Sequence, residues 1–226
     1  MTGALDANPS AEPAGTAPEP EFRVLGASGR PHAALPTLDF DIHVSETSGR
    51  QVYLLALSAQ VMIEPARRSY DAQTRARLVE LFGPEERWSM TSRSLLWTQV
   101  DALVPSFTGA TTFRLPIILS YDHELVAAKY FHSVRDGELP LAFNFNGTIY
   151  YRADDGRLQI TLVPWSCSAE FRMPVSVWHE LIDRYYPQTA WVTLRAETLD
   201  ALRREKARRG ATSIDACVAQ LLEERP

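Results

Sequence analysis

Acids, bases and metal ligands that recur at a structural period are where chemistry in this chain would be found. Asp39, Asp41 and His43 stand at alternate positions in a run whose other members, Leu38, Phe40, Ile42 and Val44, are apolar. On a strand the three polar side chains therefore share one face. Such a trio has the donors for a metal or for acid–base work, but neighbours on one strand face sit about 6.6 Å apart at Cα. A solvated face of a half-buried strand has the same pattern, and that is how we read it. His123-Glu124 opens like the zinc-protease H-E-x-x-H helix, yet Ala127 occupies the place of the second imidazole. His179-Glu180 departs in the same way at Asp183, leaving His179 and Asp183 one turn apart on the polar side of an amphipathic helix.

Lys129 interrupts an otherwise apolar run, Leu125 to Phe131, and an unpaired ammonium is costly to bury. Glu124 and Glu138 are the expected ion-pair partners, and a catalytic amine at Lys129 is the alternative. Arg67, Arg68, Arg75 and Arg77 read as a solvated helix flank. Cys167 and Cys217 are far apart and outside any C-x-x-C spacing, which encodes no disulfide framework and no zinc knuckle and fits a reducing compartment. No serine stands in a G-x-S-x-G elbow, and neither G-x-G-x-x-G nor G-x-x-x-x-G-K-[ST] occurs. The expectation is no catalytic residue, no cofactor and no metal.

The elements that would position these residues follow from hydropathy period. Residues 1–21, with Pro9, Pro13, Pro18 and Pro20, read as a disordered tail. Alternation predicts strands over 38–44 and 52–63, most simply an antiparallel pair, and further strands over 94–104 and 111–120, with Pro116 marking an edge or bulge. Helical spacing predicts helices over 71–82 and 123–134. Asp155-Gly156 signals a hairpin joining central strands at 139–151 and 158–163. Pro174 opens a helix over 175–186. Trp88, Trp97, Trp165, Trp178 and Trp191 read mostly as core, as does Cys217. The fold class is α+β: an antiparallel β-sandwich-like main domain over 22–190 with inserted helices, and a strand-helix-helix C-terminal segment over 191–226 packed on it.

A composition of 45% hydrophobic and 23% charged residues in 226 excludes wholesale disorder, and a net charge of -5 argues against a whole-surface footprint for nucleic acid or anionic lipid. No stretch approaches the roughly 18 apolar residues of a membrane helix, and the expected location is the cytoplasm.

Trp191 to Arg195, a helix, Gly210, Thr212-Ser213 and a second helix together resemble a ribbon-helix-helix module. That resemblance implies a dimer whose paired strands put Trp191, Thr193 and Arg195 into the major groove of DNA, beside Arg203, Arg204, Lys206, Arg208 and Arg209. Lys129, Trp191, Thr193 and Arg195 are thus the candidate interaction residues.

Over Phe22 to Leu222 the chain resembles a bacterial family of uncharacterised proteins known only by a domain-of-unknown-function label. The likeness is carried by Val104-Pro-Ser-Phe-Thr-Gly109, Ala127-Ala-Lys-Tyr-Phe131, Asp136-Gly-Glu-Leu-Pro-Leu141, Gly147-Thr148, Val163-Pro-Trp165 and Trp191 through Leu202. The Pro-rich start and Asn146, where a serine is expected, depart from it. Members are often encoded beside nickel-iron hydrogenase genes, so the resemblance implies an accessory or assembly protein, non-enzymatic and without cofactor, that contacts a protein partner such as a hydrogenase component. DNA is the less favoured partner, and an enzyme using Lys129 comes third.

Overall fold

The computed structural model describes residues 17–119, 125–187, 192 and 194–224. The chain divides into two compact units, 1–187 and 188–226. In chain order the first runs β1 (Pro20–Gly29), β2 (Thr37–Glu46), β3 (Gln51–Ile63), α1 (Ala72–Phe82), the short α2 (Trp88–Thr91), β4 (Leu95–Val104), β5 (Phe107–Thr108), β6 (Ala110–Ile118), α3 (Leu125–Ser133), β7 (Glu138–Arg152), β8 (Leu158–Leu162), β9 (Ser168–Pro174) and α4 (Val175–Tyr185).

Two antiparallel sheets face each other. The smaller has the order β1-β2-β6; the larger has the order β4-β3-β7-β8, with β5 also on β3 and β9 also on β7. Period-two alternation explains the packing: β2 buries Leu38, Phe40, Ile42 and Val44 against Leu55, Leu57, Ala59, Val61 and Ile63 of β3 and Leu141, Phe143, Phe145 and Ile149 of β7. Aromatic rings lock the layers, Phe40 meeting Phe143 edge-on at 5.2 Å between centroids and Phe22 stacking on Phe145 at 4.2 Å. The α+β sandwich expected from the sequence is what forms.

The expected pairing of the first two long strands is corrected: β2 and β3 lie in different sheets. Alternation says that each has a buried face and is silent on its neighbour. The crossing is fixed by Glu46, whose buried carboxylate accepts hydrogen bonds from the Ser48 amide (2.8 Å), the Ser48 hydroxyl (2.5 Å) and the Gly109 amide (3.3 Å), making a corner instead of a hairpin. Strand β1 begins at Pro20, inside the stretch read as tail, and its alternation is lost in Leu25-Gly-Ala-Ser-Gly29; β9 alternates Ala169, Phe171 and Met173 with Ser168, Glu170 and Arg172, and at seven residues escaped the sequence reading. Pro116 does mark an edge strand, β6.

The helices close the sandwich. From α4, Val175, Trp178, Leu181 and Ile182 are buried, and a Cβ on Gly29 of β1 would lie 3.2 Å from the Leu181 Cδ1. Helices α1 and α3 are joined by Arg77, whose Nε donates to the Ser133 carbonyl at 2.9 Å. Nearby, the Tyr70 and Tyr130 hydroxyls meet at 2.8 Å. Burial drives the Tyr130 phenol far above its ordinary pKa.

The second unit is a helical hairpin, α5 (Ala196–Arg209) and α6 (Ile214–Glu223). Gly210 adopts the left-handed conformation that ends α5, at φ 65°, and Ser213 caps α6 by accepting from the Ala216 amide at 2.9 Å. Arg209 spans the turn to the Glu224 carboxylate at 2.7 and 2.9 Å, and Cys217 is buried.

Candidate functional site

Most of the residues that could do chemistry and lie within the described chain are engaged in structure; Asp183, one turn from His179 on α4, is exposed. Asp39 is buried, not solvated as its position on the polar face suggested: the Arg30 guanidinium grips it with two hydrogen bonds of 2.9 and 2.5 Å, and Arg114 stands 3.9 Å away. Arg114 also lies 3.6 Å from Asp41, while the His43 ring contacts the Thr112 hydroxyl at 3.3 Å. The face is thus cross-strand pairing along β1, β2 and β6.

Lys129 lies half exposed on α3 and pairs with Glu80 of α1, not with Glu138; Glu124 and His123 lie outside the described residues. His179 donates from Nε2 to the Val134 carbonyl at 2.9 Å. Trp178 stands edge-on to His132 and His179 at 4.8 and 5.0 Å, and burial, then the charges of His179 and Arg135, hold His132 below the usual imidazole pKa. The Cys167 thiol donates to the Pro20 carbonyl at 3.3 Å, and burial pushes its pKa up, which disfavours the reactive thiolate.

The arginine group read as a solvated flank is a set of clasps. Arg67 pairs with Glu170 of β9, Arg75 with Glu85 at 3.2 Å, and Arg68 donates to the Glu138 carbonyl at 2.9 Å while its guanidinium lies 5.1 Å from the Tyr70 ring centre. In the second unit Arg203 pairs with Asp200, Arg208 with Glu205, and Arg209 with Glu205 and Glu224. Arg195 is exposed and, with Val192 and Leu194, pairs with no strand among the described residues; Trp191 and Thr193 lie outside them. Among the described residues no three His, Cys, Asp or Glu side chains gather as a metal site.

What the fold exposes instead is an apolar zone on the outer face of the larger sheet. Beyond the irregularity between Val52 and Leu54, odd-numbered residues of β3, from Leu55 to Ile63, and of β7 point inward, so even-numbered ones point out. The register then aligns Leu103 of β4, Ala56 of β3, Thr148 of β7 and Leu162 of β8 in one row, and Leu54, Tyr150 and Ile160 in the next. Leu158, Ile160 and Leu162 are 56%, 62% and 71% exposed, Leu103 is 71% exposed, and Trp165 just after β8 is 94% exposed. Farther along the same strands the face turns polar, with Asp101, Ser58, Asn146, Gln60 and Asn144 in register and Gln99 donating to the Ser58 hydroxyl at 3.0 Å.

A shallow hollow of about 350 Å³ lies at the boundary, lined by Ala56, Leu57, Ser58, Asp101, Ala102, Leu103 and Gly147. Gly147 makes it possible: its φ is 153°, and a Cβ there would stand 2.1 Å from the Ala56 carbonyl oxygen.

Two expectations are corrected here. β8 is an edge strand and not a central one, and Trp165 is on the surface and not in the core. The signal that could have found this zone is parity across the hairpin: with Thr161 opposite the inward Ile149, Leu158, Ile160 and Leu162 must face out.

A family model described as a family of unknown function, DUF6084, matches residues 17–226. No curated protein matches the chain. Among solved structures, the CARDB domain of the PF1109 protein from Pyrococcus furiosus, in complex with di-metal ions, is 8% identical, covers 75% of this chain and 98% of its own, and has a TM-score of 0.30. A beta-glucosidase from Kluyveromyces marxianus is 9% identical over 69% of this chain and 15% of its own, with a TM-score of 0.28. A putative late embryogenesis abundant protein, At2g46140.1, is 11% identical over 69% and 71%, with a TM-score of 0.28. Likenesses this distant carry no functional argument.

Proposed function

From the premise that the chain belongs to the DUF6084 family of unknown function, we propose that it is a non-enzymatic accessory or assembly protein that works by binding another protein, with a hydrogenase component as that partner. The supporting observation is the apolar zone of Leu103, Leu158, Ile160 and Leu162, set beside a polar zone on one sheet face, with the exposed Trp165 following β8. Contiguous exposed apolar surface rimmed by polar groups marks contact sites. The structural engagement of Asp39, Lys129, His179 and Cys167 supports the non-enzymatic reading. The choice of a hydrogenase rests on the gene neighbourhood that the family resemblance implies.

Affinity purification of the full chain from its native cells tests this, with Leu103→Glu as the comparison. The expected result is a hydrogenase structural or maturation subunit recovered with the natural chain and reduced at least tenfold with the variant, since a carboxylate covered by an apolar contact is left desolvated. Recovery of no hydrogenase component, or equal recovery with both chains, overturns the proposal.

DNA binding by paired C-terminal segments is the second reading. The hairpin of α5 and α6, with its Gly210 turn and Ser213 cap, is the observation in its favour. The pairing of Arg203, Arg208 and Arg209 with acids reduces the charge it has to offer phosphates.

A further inference from the structure

The geometry of β8 points to a second copy of this chain as its neighbour: we infer that two molecules join their β8 strands antiparallel about a two-fold axis at Ile160, continuing the larger sheet from one copy into the other. The inference goes beyond the proposed function and does not depend on it.

Backbone parity is the first argument. The Ala153 amide donates to the Arg157 carbonyl at 2.9 Å and the Val163 amide to the Gly147 carbonyl at 3.0 Å. With the β7 register, these bonds assign the inward-turned backbone groups to Arg157, Gln159, Thr161 and Val163. The amides and carbonyls of Leu158, Ile160 and Leu162 therefore point to the free edge, where no strand pairs with β8 among the described residues. In a pairing centred on Ile160, Leu158 of each copy faces Leu162 of the other and Ile160 faces Ile160. All six outward amides then meet all six outward carbonyls. The same six residues carry the exposed aliphatic side chains, so the pairing aligns an unbroken apolar ladder on the outer face.

The second argument is contrast with the other sheet edges. Exposed edges are normally guarded by proline, charge or a bulge. β6 has Pro116 and Arg114, β1 has a bulge between Val24 and Gly26, β4 has Asp101, and β9 has Glu170 and Arg172. β8, reading Leu158-Gln-Ile-Thr-Leu162, has none of these.

Complementarity is the third. The two-fold pairing places no like charges opposite one another and brings the end of β8 that carries the exposed Arg157 to the end that carries the exposed Trp165, twice over. A guanidinium and an indole face are mutually attractive.

Position-specific disulfide trapping of the full chain tests register and occupant together. Residues opposed in such a hydrogen-bonded pair lie about 5.5 Å apart at Cα, within the span a disulfide bridges. Ile160→Cys is expected to yield a disulfide-linked dimer under mild oxidation. Leu158→Cys, whose copy lies more than about 13 Å away in this register, is expected to yield at least tenfold less. Sedimentation of the natural chain is expected to show a dimer, and Ile160→Lys, which sets two ammonium groups face to face, a folded monomer. The inference is overturned by a natural chain that stays monomeric up to about 100 μM, by a dimer that survives Ile160→Lys, or by equal trapping at both cysteine positions. Any of these leaves the Leu103→Glu comparison standing on its own.

Discussion

At Asp39 the physical chemistry of single residues decides what the molecule does not do. A carboxylate taken out of water needs compensation, and the two-pronged grip of Arg30 supplies it, so the group is committed to joining strands. The alternating acids and histidine of β2 were legible, but their role was not, because Arg30 follows the end of β1 and Arg114 lies on β6, and the pairing of those strands with β2 leaves no local mark. Gly147 is the converse case, a residue whose lack of a side chain shapes the outer face. Gly147→Ala is expected to lower unfolding free energy by about 3 kcal/mol, read from denaturant melts, because a Cβ against a backbone oxygen cannot be relieved by a rotamer change. A loss near zero would mean that β3 and β7 do not approach as described.

Among the elements, most strands and helices with clean periods were readable, and a strand's partner was readable only where a tight turn joins the two. The helix α4 and the β7–β8 hairpin sit where apolar spacing and Asp155-Gly156 put them. The split of β2 and β3 between sheets depends on the Glu46 corner, which no periodicity encodes. The α5–α6 hairpin makes a pH-dependent prediction. Hydrogen bonds from Arg208, then Arg209, hold the Glu205 carboxyl down at about 2, against 4.5 for the free group. A group depressed on folding stabilises above its unfolded value and loses that contribution as pH falls toward its folded one. Exchange protection of α5 amides is therefore expected to be higher in the natural chain than in Glu205→Gln at pH 6, with the difference fading from about pH 4.5 to about pH 2. A difference that stays constant across that window contradicts the pairing.

For the whole molecule, the sandwich followed from alternation, while the candidate surface followed from register, which a linear pattern leaves open. Leu158, Ile160 and Leu162 look the same in the sequence whether they face a core or face outward. Only their place at the rim of a four-strand-wide sheet, opposite Thr148 and Tyr150, makes them a surface. The structure shows no helix among the described residues long and apolar enough to cross a membrane. The central claim is that the apolar zone of the larger sheet's outer face is where another protein is held. A photo-cross-linking residue in place of Leu103 in the full chain, activated in the native cell, reads this directly, with Gln99 on the polar part of the same strand and face as the control. An adduct with a hydrogenase subunit from position 103 and little from position 99 is the expected result. No adduct at 103, or equal adducts from both positions, would contradict the claim.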